Sequence, residues 1–173
     1  MSRQPPARTI LLPANPVFIA CTLFVAFLLN LQPWGQTAGV PDFVALCLVF
    51  WGIHQPRRVG MGMAFFMGIL MDVNDATILG EHALAYTVLS YLAITIHRRV
   101  LWFPLRKQML FVLPLLLLAQ VIQMLVQFMV SGRFASWLHL FDSGVAALLW
   151  PLLTIALLAP QRRAIEKDLD RPL

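Results

Sequence analysis

Residues 57–84 read RRVGMGMAFFMGILMDVNDATILGEHAL, and this stretch decides the fold. It has a basic start, an apolar run, a cluster of acidic residues and a second apolar run. Gly60, Ala64, Gly68 and Asp72 recur every four residues, so on an α-helix they share one face. Small residues let two helices approach closely in a lipid bilayer, where no hydrophobic force brings helices together. The spacing therefore predicts a helix–helix contact along this face, with Gly68 as a contact point.

Asp72 ends this face and is harder to place. A carboxylate near the C-terminus of a helix faces the negative end of the helix dipole and is disfavoured there, so we expect a compensating partner. One interpretation places Asp72 at the water interface, where it caps or pairs locally. The other gives it a partner on another helix or on another protein.

The composition is typical of an integral membrane protein. Of the 173 residues, 60% are hydrophobic and 12% are charged, whereas a soluble domain carries about 25% charged residues. The last two apolar stretches exceed the roughly 20 residues that cross a bilayer, while the second and third are short and need flanking residues or a thinner bilayer. We expect an all-α bundle of six transmembrane helices, at residues 13–31, 41–54, 59–73, 82–96, 108–130 and 137–159.

The basic residues predict the orientation. Twelve of the thirteen Lys and Arg residues fall on one side of these stretches and only Arg133 on the other, which makes the first side cytoplasmic. We expect a multi-pass membrane protein with a cytoplasmic tail at 1–12, a transmembrane domain at 13–160 and a basic cytoplasmic tail at 161–173. The pI near 10 then reflects topology and contact with anionic membrane lipids, and indicates no nucleic-acid partner.

The fifth apolar stretch carries a polar face. Gln120, Gln123 and Gln127 lie at i, i+3 and i+7 and share one side of the helix. Amides in hydrocarbon seek hydrogen-bond partners, so this face should point into protein. It could join helices of this chain, bind a partner, or line a small-molecule cavity.

The sixth stretch contains Trp150 followed by Pro151, and a proline inside a helix removes a backbone hydrogen bond and kinks the helix. Asp142 or Ser143 could be the N-cap of this helix. In that case residues 134–141 lie on the membrane surface.

The acidic residues Asp72, Asp75, Glu81 and Asp142 should all lie at the outer face. Three of them and His82 fall within eleven residues and could in principle bind a cation, but their spacing matches no calcium loop or zinc motif. The favoured alternative is a solvated turn in which Asp75 caps a short segment and Glu81 begins the next helix. No metal or cofactor is predicted.

Several short motifs occur in a fixed order along the chain. The second helix starts with a proline and ends in Trp and Pro-x-Arg; Gly-x-Gly-x5-Gly-x3-Asp, Leu-Gly-x-x-Ala-Leu and a late Leu-Trp-Pro follow. This order is similar to that of the MreD family of bacterial rod shape-determining membrane proteins. The positions are Pro41, Trp51, Pro56, Arg58, Gly60, Gly62, Gly68, Asp72, Leu79, Gly80, Ala83, Leu84, Leu149, Trp150 and Pro151.

The resemblance implies a non-enzymatic scaffold subunit of the cell-elongation machinery, which synthesises lateral peptidoglycan. Its implied partners are the bitopic protein MreC, the actin-like MreB, and the RodA glycosyltransferase with its transpeptidase partner. The family also resembles, in overall fold, the substrate-binding subunits of energy-coupling-factor vitamin transporters. No catalytic residue is implied.

That second likeness supplies the alternative function, a solute-binding transport subunit. Its site would need polar and aromatic groups converging on one cavity, and the three glutamines with Trp51 and Asp72 are the candidates. An enzyme is disfavoured, because the sequence contains no nucleophile with its base, no Walker motif and no zinc signature.

Overall fold

The computed structural model describes residues 14–32, 39–132 and 140–169, and these residues form six helices. The predicted N-terminal tail, most of the predicted surface segment at 134–141 and the last four residues lie outside this part of the chain. The helices are α1 (Pro16–Asn30), α2 (Phe43–His54), α3 (Met61–Asn74), α4 (Glu81–Leu101), α5 (Leu105–Ser131) and α6 (Leu140–Leu169).

The short helix α2 is the centre of the bundle. Every residue from Val44 to Ile53 is buried, and α2 packs against α1 and α4, with smaller contacts to α5 and α6. Gly52 makes close packing possible, because a Cβ at this position would lie 3.2 Å from the Cβ of Ala93 on α4. A helix of 12 residues is about 18 Å long. The apolar run that predicted a span is therefore a short helix enclosed by its neighbours.

Two tryptophans fill the core beside α2. Trp51 donates from Nε1 to the hydroxyl of Thr22 on α1 at 2.9 Å, and Trp150 donates to Gln108 Oε1 at 3.1 Å. Phe50 lies between the two indoles, with ring centroids 4.9 Å and 6.1 Å away. Buried indole N–H groups need an acceptor, and both have one.

The longest helices differ from α2 in their surroundings. Leu105–Ser131 and Leu140–Gln161 are long and apolar enough to cross a membrane, and α1, α2 and α3 are shorter apolar helices. Many large apolar side chains on the outside of the bundle are exposed, such as Leu110, Leu148 and Leu152. An apolar outer surface fits a lipid environment, in which these side chains remain buried in hydrocarbon.

Several predicted helix boundaries are wrong. Helix α4 continues to Leu101, five residues beyond the predicted end, and α6 already includes Leu140 and runs to Leu169. Asp142 and Ser143 are therefore inside the helix, and neither is its N-cap. The helix also continues past residue 160, the predicted end of the transmembrane domain, so the predicted basic tail is helical from residue 161 to Leu169.

Candidate functional site

The carboxylate of Asp72 caps the start of α4. Oδ2 accepts from the backbone N–H of Gly80 at 2.7 Å, and Oδ1 accepts from that of His82 at 2.7 Å. A longer bond of 3.4 Å comes from the backbone N–H of Ala83. The first amides of a helix have no partner within it, and the positive end of its dipole favours an anion. The carboxylate of Asp72 lies at the unfavourable, negative end of the α3 dipole, but it stabilises the positive N-terminal end of α4.

The predicted local pairing of Asp72 is present. The carboxylate is only 1% exposed, however, and therefore does not lie in water. His82 adds a side-chain contact, since its Nδ1 lies 2.9 Å from Asp72 Oδ1. Its Nε2 lies 3.9 Å from Asp75 Oδ2. The imidazole therefore stands between two carboxylates at the α3–α4 turn.

Gly68 is the point where α3 and α4 touch. A Cβ built at this residue would lie 2.3 Å from Ala83 Cα and 2.5 Å from Ala83 N, distances that no side chain tolerates. Ala64 on the same face is fully buried. Gly60 differs from the prediction, because it is the residue before α3 and nothing lies near it. The predicted contact face thus extends from Ala64 to Asp72.

A second carboxylate, Asp42, joins three helices. Its Oδ1 accepts from the backbone N–H of Ala45, which makes it the N-cap of α2, and also from Asn30 Nδ2 at 2.9 Å. Its Oδ2 accepts from the hydroxyl of Tyr86 on α4 at 2.6 Å. We call Asn30, Asp42 and Tyr86 the Asp42 cluster.

Asp42 was not among the residues for which the sequence predicted a role. A signal for its capping role was present, because an aspartate directly before an apolar helical run is a preferred N-cap. Its partners Asn30 and Tyr86, 12 and 44 residues away, could not be found from local pattern.

The glutamine face of α5 is joined to α6 by a hydrogen bond at Gln120. Gln120 Oε1 accepts from the Ser143 hydroxyl at 2.5 Å, an interhelical bond within the chain. Gln123 is half-buried and lines a small cavity. Gln127 is also half-buried, and its backbone carbonyl accepts from Ser131. Of the three amides, Gln120 provides the bond that joins two helices.

Trp150 and Pro151 lie on the side of α6 that meets the core. Trp150 is fully buried, and its acceptor Gln108 in turn donates to the carbonyl of Phe103 at 3.0 Å, which joins α6 to the turn before α5. Pro151 is inside α6, as the sequence predicted.

A cavity of about 40 Å³, lined by both polar and apolar side chains, lies where α2, α5 and α6 meet. Ligand sites for small molecules are usually about 300 Å³ or larger. Of the groups predicted to form a solute site, Gln120 and Gln123 line this cavity. Trp51 and Asp72 are engaged elsewhere, since Trp51 bonds to Thr22 and Asp72 caps α4. Its lining residues are Asp42, Ala45, Leu116, Ala119, Gln120, Gln123, Asp142, Ser143 and Ala146.

Charge is separated along the bundle. Asp42 lies where α2 begins, Asp72, Asp75 and Glu81 lie where α3 turns into α4, and Asp142 accepts a hydrogen bond from the backbone N–H of Gly39 at the same end. Glu166 and Asp168 belong to the last part of α6. At the opposite end, Arg57 and Arg58 lie in the α2–α3 connection, and the last turn of α4 and the first turn of α5 carry four more basic residues. All six side chains are exposed; the four helical ones are Arg98, Arg99, Arg106 and Lys107. Within the described ranges, no three metal-binding side chains are arranged to hold an ion.

These features define an all-helical membrane protein in which several buried polar side chains join helices. A family model described as rod shape-determining protein MreD matches residues 14–159. The chain belongs to the MreD family, which confirms the resemblance inferred from its motifs. The rod shape-determining protein MreD of Haemophilus influenzae is 29% identical over 133 residues, covering 73% of this chain and 80% of that protein. No solved structure matches the chain.

Proposed function

We propose that this protein is a non-enzymatic scaffold subunit of the bacterial cell-elongation machinery. Membership of a rod shape-determining family over residues 14–159 carries the proposal. The buried polar groups support it, because the carboxylates of Asp72 and Asp42 and the amides of Gln108 and Gln120 are engaged in helix-joining bonds. Its proposed partners are an MreC-type bitopic protein, MreB filaments, and RodA with its transpeptidase partner.

In this proposal all six helices cross the bacterial inner membrane, with both termini in the cytoplasm. The charge separation supports this orientation, since the exposed basic end matches the cytoplasmic leaflet. The helices α1, α2 and α3 are short for a bilayer. Local thinning of lipid around α1 and α3, and shielding of α2 by its neighbours, accommodate them.

Deletion of the gene in its rod-shaped host tests the function. We expect rounded, widened cells, because side-wall synthesis would lose the membrane subunit that positions its enzymes. Expression of the intact chain should restore rods. Normal rods in a clean deletion would refute the proposal.

A solute-binding transport subunit is the second candidate, supported by the cavity between α2, α5 and α6, whose lining includes Gln120 and Gln123. A volume of about 40 Å³ suits a water molecule and is far too small for a vitamin. If deletion causes rounding that one supplied nutrient reverses, transport is the function. If rounding persists on every supplement, the scaffold proposal stands.

A further inference from the structure

The connection between α4 and α5 carries a dense set of exposed basic side chains. Residues 98–107, which we call the α4–α5 tip, read RRVLWFPLRK. Arg98 and Arg99 lie in the last turn of α4, and Arg106 and Lys107 lie in the first turn of α5. All four side chains are exposed. The α4–α5 tip therefore presents a concentrated positive charge at the surface.

No carboxylate of the described part of the chain balances this charge. The sequence has no Asp or Glu from residue 82 to residue 141, and among the described side chains none forms an ion pair with the α4–α5 tip. The C-terminal end of the α4 dipole favours its two arginines. The N-terminal end of the α5 dipole disfavours Arg106 and Lys107, and the first turn of α5 holds no acidic residue. An anion from outside the chain would offset this repulsion.

Large apolar side chains are exposed between the two basic turns. Trp102 is 89% exposed, and Leu101 and Phe103 are also exposed. Trp102 has helical backbone angles, so it shares a helix face with Arg98, four residues earlier. An exposed indole is costly in water, whereas tryptophan is favoured at the boundary between lipid head groups and acyl chains. The α4–α5 tip thus combines positive charge and apolar surface in the manner of an interfacial segment.

The α2–α3 connection at the same end of the bundle lacks this combination. It also carries two exposed arginines, Arg57 and Arg58. Its apolar residue Val59 is fully buried, and the backbone N–H of Val59 donates to the carbonyl of Gln55 at 3.2 Å. No large apolar side chain in residues 55–60 is exposed. This connection therefore presents positive charge without apolar surface that could enter lipid.

We propose that the α4–α5 tip binds anionic phospholipids of the cytoplasmic leaflet. Its basic side chains contact lipid phosphate, and Trp102 inserts between the head groups and the acyl chains. A cluster of four or more Lys and Arg residues immediately beside a transmembrane helix is typical of a segment that binds anionic lipid. The inference rests on the proposed membrane topology and adds to it a lipid-selective surface at one of the two basic connections.

Lipid is favoured over an acidic segment of a soluble protein, because the α4–α5 tip is short. Only residues 102–104 separate the two helices, so the four charged side chains stay at the membrane surface. An acidic protein segment would neutralise the charge but leave Trp102 and Leu101 to be covered separately. An anionic lipid neutralises the charge and covers these apolar side chains in a single contact.

Quenching of tryptophan fluorescence by brominated lipids tests the proposal. The full-length chain is reconstituted in phosphatidylcholine vesicles that contain a small, equal fraction of either brominated phosphatidylglycerol or brominated phosphatidylcholine. The emission of Trp102 is the difference between the unaltered chain and Trp102→Phe.

Two double variants are compared in this assay. Arg106→Gln with Lys107→Gln removes two charges from the α4–α5 tip. Arg57→Gln with Arg58→Gln removes two charges from the α2–α3 connection and is the matched control. Circular dichroism verifies that each variant is folded; if the first double variant does not fold, Arg98→Gln with Arg99→Gln provides the same comparison.

We expect brominated phosphatidylglycerol to quench the emission of Trp102 at least about twofold more than brominated phosphatidylcholine, because each Lys or Arg near the surface strengthens contact with anionic lipid about fivefold. Arg106→Gln with Lys107→Gln should remove most of this preference. Arg57→Gln with Arg58→Gln should leave it unchanged.

Equal quenching by the two lipids, or the same loss of preference in both double variants, would overturn the proposal. Weak quenching by both lipids would also overturn it, because Trp102 would then lie in water and an acidic soluble partner would be indicated. The vesicle assay does not depend on cell shape. Rounded cells after gene deletion, together with equal quenching, would leave the scaffold function standing and exclude the lipid surface, whereas normal rods with a clear lipid preference would do the reverse.

Discussion

Replacement of Gly68 by alanine tests the packing of α3 against α4 with the smallest possible change. The added Cβ would lie 2.3 Å from Ala83 Cα, roughly 1 Å short of a normal carbon–carbon contact. The obstacle is backbone, so the two helices must separate. Overpacking of this kind costs about 1 to 3 kcal/mol, and the separation also draws Asp72, one turn further on, away from the amides at 2.7 Å.

Gly62→Ala is the matched control, because it lies on the same helix and a Cβ there meets nothing within 4 Å. Alanine in a helix is favoured over glycine by up to about 1 kcal/mol. The same Gly→Ala change should therefore lower the stability of the protein at position 68 and not lower it at position 62. We expect Gly68→Ala to lower the melting temperature of the purified protein by at least about 4 °C and Gly62→Ala to leave it unchanged or raise it.

Melting is measured by loss of the monodisperse peak in fluorescence-detected size-exclusion chromatography after heating in detergent. Far-ultraviolet circular dichroism on the same samples reports the helix content. Equal melting temperatures for Gly68→Ala and the unaltered protein would refute the close backbone contact. An equal fall in melting temperature for Gly68→Ala and Gly62→Ala would indicate a general effect of alanine in this helix and refute the role of Ala83.

Three further predictions concern the carboxylates and the orientation. Asp72→Asn should destabilise the protein by about 1 to 3 kcal/mol, because one acceptor oxygen of the cap is lost, whereas Asp75→Asn at the partly exposed neighbour should change the same thermal melt little. Tyr86→Phe should cost about 1 kcal/mol by removing the donor to Asp42, while Tyr91→Phe at an exposed site should be neutral; equal effects would contradict the Asp42 cluster. In a cysteine-free background, a cysteine at position 76 should react from outside intact cells with a membrane-impermeant reagent, and one at position 104 should not; the reverse pattern would overturn the orientation.

The order of the helices and one close contact could be predicted from sequence. Long apolar runs are separated by prolines, glycines and charged residues, so the six helices can be recognised from the sequence pattern. Gly68 was identified because a fourfold spacing of small residues reports a helix face directly. Gly60 fitted the same spacing but precedes the helix, because spacing does not indicate where the first turn begins.

The partners of the polar side chains could not be predicted from the sequence. Asp72 was recognised as needing a partner, but its actual partners are backbone amides, which every residue possesses and no pattern marks. Asp42 bonds to Tyr86 across 44 residues, and that pairing depends on how α2 and α4 pack. Asp142 was considered as a possible N-cap of α6, whereas it contacts the backbone of Gly39 from within the helix.

The cap formed by Asp72 also has a consequence for the order of folding. Its bonds join residues only 8 to 11 positions apart, so the α3–α4 hairpin can close as soon as both helices have left the ribosome. Contacts of low sequence separation form fastest. The neighbouring rings of Phe50 and Trp150 are separated by 100 residues. The contact between α2 and α6 therefore forms only after α6 has been synthesised. We therefore expect the α3–α4 hairpin to form before α5 and α6 pack against the rest of the bundle.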